Sequence, residues 1–213
     1  MITQEFIQQA VDNAKLGKSN LSQDVLNIRG FSTPTIRHLF NNLCNINGTY
    51  LEVGLFFGAS FCSAFNDNLT AIGIEDHSQD FSEGFEQVKK ELKENLATFS
   101  GRAKEVKVHF EDCFKMDKSL LPDNIDIYCY DAEHSMESTA KALPYFFDKL
   151  ADTFCLILDD VNWQCVLDGI NIALEELKDK IDIEQVWMLR GYNLQNDPIF
   201  HNGVAIYLIN KKK

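Results

Sequence analysis

Positive charge is scarce in this chain: 20 Lys and Arg stand against 32 Asp and Glu, a formal net charge of −12 over 213 residues. A surface of that sign repels a phosphate backbone, and the single Lys run, Lys211 to Lys213, reads as a solvated tail. Nucleic acid is therefore not an expected partner. Long apolar runs are also lacking, and none approaches the roughly 18 residues that a membrane span needs. The six cysteines, at positions 44, 62, 113, 129, 155 and 165, form neither a C-x-x-C pair nor a zinc spacing. They read as buried free thiols in a reducing cytoplasm. The first residues, MITQEFIQQAVDNAK, agree, because they carry an amphipathic helical pattern and not that of a signal peptide.

With 45% hydrophobic residues, the chain is long enough to bury roughly 70% of its unfolded surface as one α/β domain. Helical periodicity fills the first 45 residues: Phe6, Ile7, Ala10, Val11 and Ala14 share one face, and Ile36, Leu39, Phe40 and Leu43 another. Ser32-Thr33-Pro34 marks the start of the second helix, since proline fits a first helical turn. Residues 1–46 thus read as a helical cap belonging to the same domain as residues 47–213. From there, short apolar runs at 49–53, 70–75, 105–110, 126–130, 153–158, 184–189 and 204–209 alternate with helical stretches at 59–67, 80–98, 135–150 and 163–180. That alternation predicts a mostly parallel, Rossmann-like sheet of seven strands with helices on both faces. The last two strands, joined without a helix, are expected as an antiparallel edge pair.

In such sheets, ligands bind beyond the carboxyl ends of the strands. The first strand runs into E52-V53-G54-L55-F56-F57-G58-A59-S60, whose glycines permit a tight turn and close approach to a ligand. The second ends in Glu75, about 20 residues on, the spacing at which a carboxylate accepts from a ribose diol; a helix cap by Asp76 or Ser78 competes with that reading. After the third comes Asp112, facing an adenine amino group or lying in a polar loop. The fourth delivers Asp131, Glu133 and His134, and the fifth Asp159 and Asp160. Carboxylates converging from neighbouring strands repel unless a divalent cation or a helix cap relieves them, and oxygen-only ligation favours Mg²⁺ or Ca²⁺.

These segments resemble class I S-adenosylmethionine-dependent methyltransferases, most nearly the metal-dependent sugar O-methyltransferases of the macrocin and novobiocin type. "LEVGLFFGAS" is similar to the family's opening motif, "YDAEHSMESTAKAL" to its acidic segment after strand 4, and "LILDD" to its strand closing in Asp-Asp. The resemblance implies a sheet of order 3-2-1-4-5-7-6 with strand 7 antiparallel. It implies that Glu52, Gly54, Gly58 and Ser60 line the methionine end of the cofactor, that Glu75 holds the ribose and that Asp112 faces the adenine. Asp131 then borders both the cofactor and a Mg²⁺ held by Asp131, Asp159 and Asp160, and Glu133 is the candidate base. The chain departs from the family at Ala132 and Glu133 and carries one extra residue in "EHSMEST", which makes His134 a second candidate base.

The expected activity is Mg²⁺-assisted methylation of a hydroxyl on a small molecule, whether sugar, phenol or other diol. The alternatives are a metal-independent methyltransferase and a non-catalytic cofactor-binding or assembly protein of the same fold. A nicotinamide-dependent oxidoreductase fits less well, because Phe56 stands where the second glycine of G-x-G-x-x-G belongs. Trp163 is the aromatic expected to touch a substrate, whereas Phe56, Phe57 and Tyr192 read as core or pocket wall. His38, His77, His109 and His201 read as packed or solvated. The amphipathic N-terminal helix leaves a homo-oligomer open.

Overall fold

The computed structural model describes residues 2–77, 84–191, 193 and 196–212. Seven strands form one sheet: β1 (Gly48–Val53), β2 (Leu69–Ile74), β3 (Glu105–His109), β4 (Ile125–Tyr130), β5 (Leu150–Leu158), β6 (Ile181–Leu189) and β7 (Val204–Lys211). Their order is β3-β2-β1-β4-β5-β7-β6. β1 to β5 pair in parallel, while β7 runs antiparallel to both β5 and β6. This is the order that the family resemblance implies. Charged side chains concentrate on the edges, as with Glu105 and Lys107 on β3, where water can solvate them and further strand pairing is discouraged.

The helices are α1 (Gln4–Lys15), α2 (Gln23–Leu26), α3 (Pro34–Leu43), α4 (Ala59–Ala64), α5 (Phe85–Phe99), α6 (Met136–Phe146) and α7 (Gln164–Leu177). Because successive strand residues face opposite ways, Tyr50 and Leu51 fall into different hydrophobic clusters, one on each side of the sheet. The Tyr50 cluster takes in Ile7 and Val11 of α1, Leu39 and Leu43 of α3, and Phe61 of α4. On the Leu51 side, Leu143 and Phe146 of α6 pack with Ile170 of α7. The cap helices therefore bury their apolar faces in the same cluster as the sheet.

Several boundaries differ from the sequence reading. β5 begins at Leu150, three residues early, because the end of α6 tightens into a 3₁₀ turn over Phe147–Lys149. α4 stops at Ala64, where Phe65 turns extended. The expected helix at 80–98 starts at Phe85 among the described residues, and its first part falls outside them, as do Ser78, Tyr192 and Lys213. Five cysteines are buried, but Cys165 is exposed in the first turn of α7. Among the described residues no helix is long and apolar enough to cross a membrane.

One buried charge organises the cap. Arg37, 4% exposed, donates from Nη1 to the carbonyls of Leu26 (2.7 Å) and Ile28 (2.6 Å) and from Nε to Ser32 Oγ (3.0 Å). Burial lowers its pKa, yet these acceptors favour the charged form. They pin the loop between α2 and α3. Arg37→Met is expected to cost about 2–4 kcal/mol, since several hydrogen bonds to a charged group are lost at a buried position; urea unfolding measures it.

Candidate active site

A cavity of about 820 Å³ opens at the carboxyl ends of the parallel strands. Its walls come from the turn after β1, the ends of β2 to β5, the loop before α3 and the loop between β6 and β7. Gly54 opens the first turn with φ +90°, and a Cβ there would lie 1.9 Å from the Asp131 carbonyl oxygen. No side chain fits, so the ends of β1 and β4 close on each other. Phe56 also takes a positive φ of 51°, a conformation that a bulky residue holds only when its surroundings impose it.

Glu75 supplies that constraint. Its Oε2 accepts from the amides of Leu55 (2.7 Å) and Phe56 (2.8 Å), and its Oε1 from that of His77 (2.7 Å). Three of the carboxylate's roughly four lone-pair positions are thus spent on the turn, and the group still lines the cavity. Asp112, also in the wall, accepts from the amide of Phe114 (2.9 Å) and pairs with Lys115 Nζ (2.7 Å). Lys115 chiefly holds the Asp112 carboxyl below its ordinary range.

Two expected cofactor residues stand behind the wall instead of in it. Glu52 is fully buried, accepting from Tyr50 Oη and from Ser60 Oγ (2.5 Å). Ser60 does line the cavity, so Glu52 acts on it from behind. Strand alternation explains the inward turn, since Glu52 shares a sheet face with Tyr50, two residues earlier. Gly58, with φ +81°, starts α4 against Leu92 of α5, whose Cδ1 would lie 2.9 Å from an added Cβ.

Burial pushes the Glu52 carboxyl up to about 8, against the lowering effect of its two hydroxyl donors. An acid whose pKa is raised by folding binds more protons in the fold than in the unfolded chain, so its contribution to stability is lost as pH rises through about 8. Glu52→Gln is therefore expected to flatten the fall in stability between pH 5 and 8, removing up to about 1.4 kcal/mol per pH unit from its slope. Urea midpoints across that range test it.

The acidic cluster gathers where β4 and β5 end. Asp131, Asp159, Asp160, Glu133 and His134 all line the cavity. Burial first, then the Asp160 carboxylate, raise Asp131 well above the ordinary range; burial and then Asp131 do the same to Asp159. Asp160 is 7% exposed and held at φ +55°. Asp159 Oδ1 and Asp160 Oδ1 are buried without a hydrogen-bond partner among the described residues. Those oxygens would welcome a cation. Yet among the described residues no group of three His, Cys, Asp or Glu side chains is drawn together as metal ligands are, so the expected Mg²⁺ finds no support there.

What reaches two of the three carboxylates is the His134 ring. Its buried Nε2 lies 3.5 Å from Asp131 Oδ1 and 3.4 Å from Asp160 Oδ2, with no hydrogen-bond partner among the described residues. Trp163 meets that ring edge to face, with centroids 5.2 Å apart. Glu133, the other candidate base, is exposed, and its Oε2 accepts from Ser138 Oγ (2.5 Å) at the start of α6. Sequence reasoning missed two contributors. Phe31 carries no local signal and His201 reads as packed or solvated, yet both line the cavity. They arrive there through contacts between the two ends of the chain, for which no local pattern exists.

Comparison with known proteins follows the same division between fold and detail. No curated protein matches the chain. Among solved structures, an O-methyltransferase from Bacillus cereus in complex with SAH superposes with a TM-score of 0.63 at 10% identity, over 99% of this chain and 93% of that one. The O-methyltransferase TomG from Streptomyces achromogenes, in complex with SAM, gives 0.62 at 15% identity, over 98% and 91%. The SAH-bound methyltransferase PaMTH1 from Podospora anserina gives 0.59 at 14% identity, over 100% and 89%. At such identities the likeness is one of fold. The family profile described as "Methyltransferase domain" matches residues 51–161, the segment that carries the glycine turn, Glu75, Asp112 and the whole acidic cluster. The chain belongs to that methyltransferase domain family.

Proposed function

We propose that the protein is an S-adenosylmethionine-dependent methyltransferase that methylates a hydroxyl of a small molecule, with His134 as the proton acceptor. The observation that carries this reading is the unpartnered Nε2 of His134 between Asp131 and Asp160, in the same cavity as the Gly54 turn and Glu75. The family and the cofactor products or cofactor held by the Bacillus cereus and Streptomyces achromogenes enzymes support the choice of methyl donor.

When bound, S-adenosylmethionine supplies an electrophilic sulfonium methyl group. Gly54 lets the turn close against the Asp131 backbone, which sets the wall the cofactor would lie along. Glu75 retains one open acceptor position for a ribose hydroxyl, and Asp112 is set to accept from the adenine edge. Ser60, fixed by Glu52, is the hydroxyl at the methionine end. An acceptor hydroxyl aligned with that methyl group would give up its proton to His134 Nε2 as it is methylated. The imidazolium so formed lies within 3.5 Å of two carboxylates, which offset its charge. The same carboxylates repel an anionic acceptor, so a neutral hydroxyl compound fits best.

No step is routed through Mg²⁺. Calorimetric titration with S-adenosylmethionine is expected to give micromolar binding that chelation with EDTA leaves unchanged, and turnover is expected to survive chelation as well. Loss of turnover restored by Mg²⁺ would return the three aspartates to the metal role. Absence of cofactor binding would sink the methyltransferase reading and leave a protein that shares the fold alone.

A further inference from the structure

Phe31 is 63% exposed, and it lines the cavity. Its ring lies nearly parallel to Phe56, at 11° with centroids 5.1 Å apart, and nearly parallel to His201, at 10° and 6.5 Å. Three rings from three separate segments thus share one plane direction. The arrangement is built: Thr33 Oγ1 donates to the Ile199 carbonyl (2.5 Å), tying the loop before α3 to the β6–β7 loop, and Arg37 fixes the first of these from within. Asp197 braces the other, accepting from the amides of Ile199 (2.8 Å) and Phe200 (3.0 Å).

We infer that Phe31, Phe56 and His201 form a stacking platform that selects a planar aromatic acceptor, a hydroxylated arene, over a sugar or an open-chain diol. The inference rests on the methyltransferase reading above and names its substrate class. Flat, parallel rings offer dispersion and offset stacking to a planar ring, while a puckered saturated ring meets them with fewer atoms at contact distance. Trp163, beside His134, adds a further ring to the wall that an arene would touch. The acidic cluster keeps the selected arene neutral.

The test compares 2,3-dihydroxynaphthalene with its saturated counterpart, decalin-2,3-diol, titrated into the S-adenosylhomocysteine complex of the full chain. The aromatic diol is expected to bind roughly tenfold more tightly. Phe31→Ala is expected to erase that preference, and Phe31→Trp to keep it, with S-adenosylhomocysteine affinity within twofold in both variants. Equal binding of the two diols, a preference that survives Phe31→Ala, or no binding of the arene to a complex that does form would each overturn the platform while leaving the cofactor reading intact. If S-adenosylhomocysteine itself fails to bind the parent chain, the methyltransferase reading falls, and the platform with it.

Discussion

Replacing His134 by alanine is expected to lower turnover by about 10²–10⁴-fold while S-adenosylmethionine binds as tightly as before, the range that loss of a positioned proton acceptor costs. The division follows from where the residue sits. His134 belongs to the segment between β4 and α6, whereas Ser60, Glu75 and Asp112, proposed to face the cofactor, lie after β1, β2 and β3. Single-turnover kinetics beside calorimetry separates the two effects. A purely structural role would lower cofactor affinity and the unfolding midpoint together. Asp131→Asn and Asp160→Asn supply the control: each removes one of the carboxylates facing Nε2, so each is expected to reduce turnover less than loss of the imidazole itself. If turnover in His134→Ala stays within threefold of the parent, Glu133 becomes the candidate base.

The second large effect is expected at Gly54. Alanine there must hold a positive φ and place a methyl group on the Asp131 carbonyl, so the ends of β1 and β4 have to separate. A destabilisation of about 3 kcal/mol or more follows from strain and overlap combined. Cofactor affinity is expected to fall at least 100-fold, because the displaced strand end carries the amides of Leu55 and Phe56 away from Glu75. Urea unfolding and calorimetry on the same variant check both parts. Micromolar binding in a folded Gly54→Ala protein would show that the turn yields, and would remove it from the binding site.

Much of this is legible in the sequence alone. Period-two and buried runs named all seven strands, and the acidic strand ends named the cluster, because both signals are local. What stayed hidden depends on contact between distant segments. The Thr33–Ile199 bond joins residues 166 apart, and no composition or spacing announces it. Arg37, on the strength of its charge, belongs on a surface; only the loop carbonyls curled around it explain its burial. Glu52 is an intermediate case. The alternation that pairs it with Tyr50 was present in TYLEV, so its retreat from the cavity followed from the same period-two rule that found the strand. The Mg²⁺ expectation finds no support among the described residues: Asp131, Asp159 and Asp160 line one cavity, and what lies within 3.5 Å of two of them is the His134 imidazole.

The bond between the two loops has an evolutionary side. Residues 51–161 hold every group assigned to the cofactor and to proton transfer, whereas Phe31 and His201 lie outside that stretch, one on each flank. On the proposed reading, part of acceptor choice rests on segments outside the stretch that carries the chemistry. Drift in the two flanks would then be expected to alter the acceptor without touching the groups proposed for cofactor binding and proton transfer, provided that both flanks change together and keep their shared hydrogen bond.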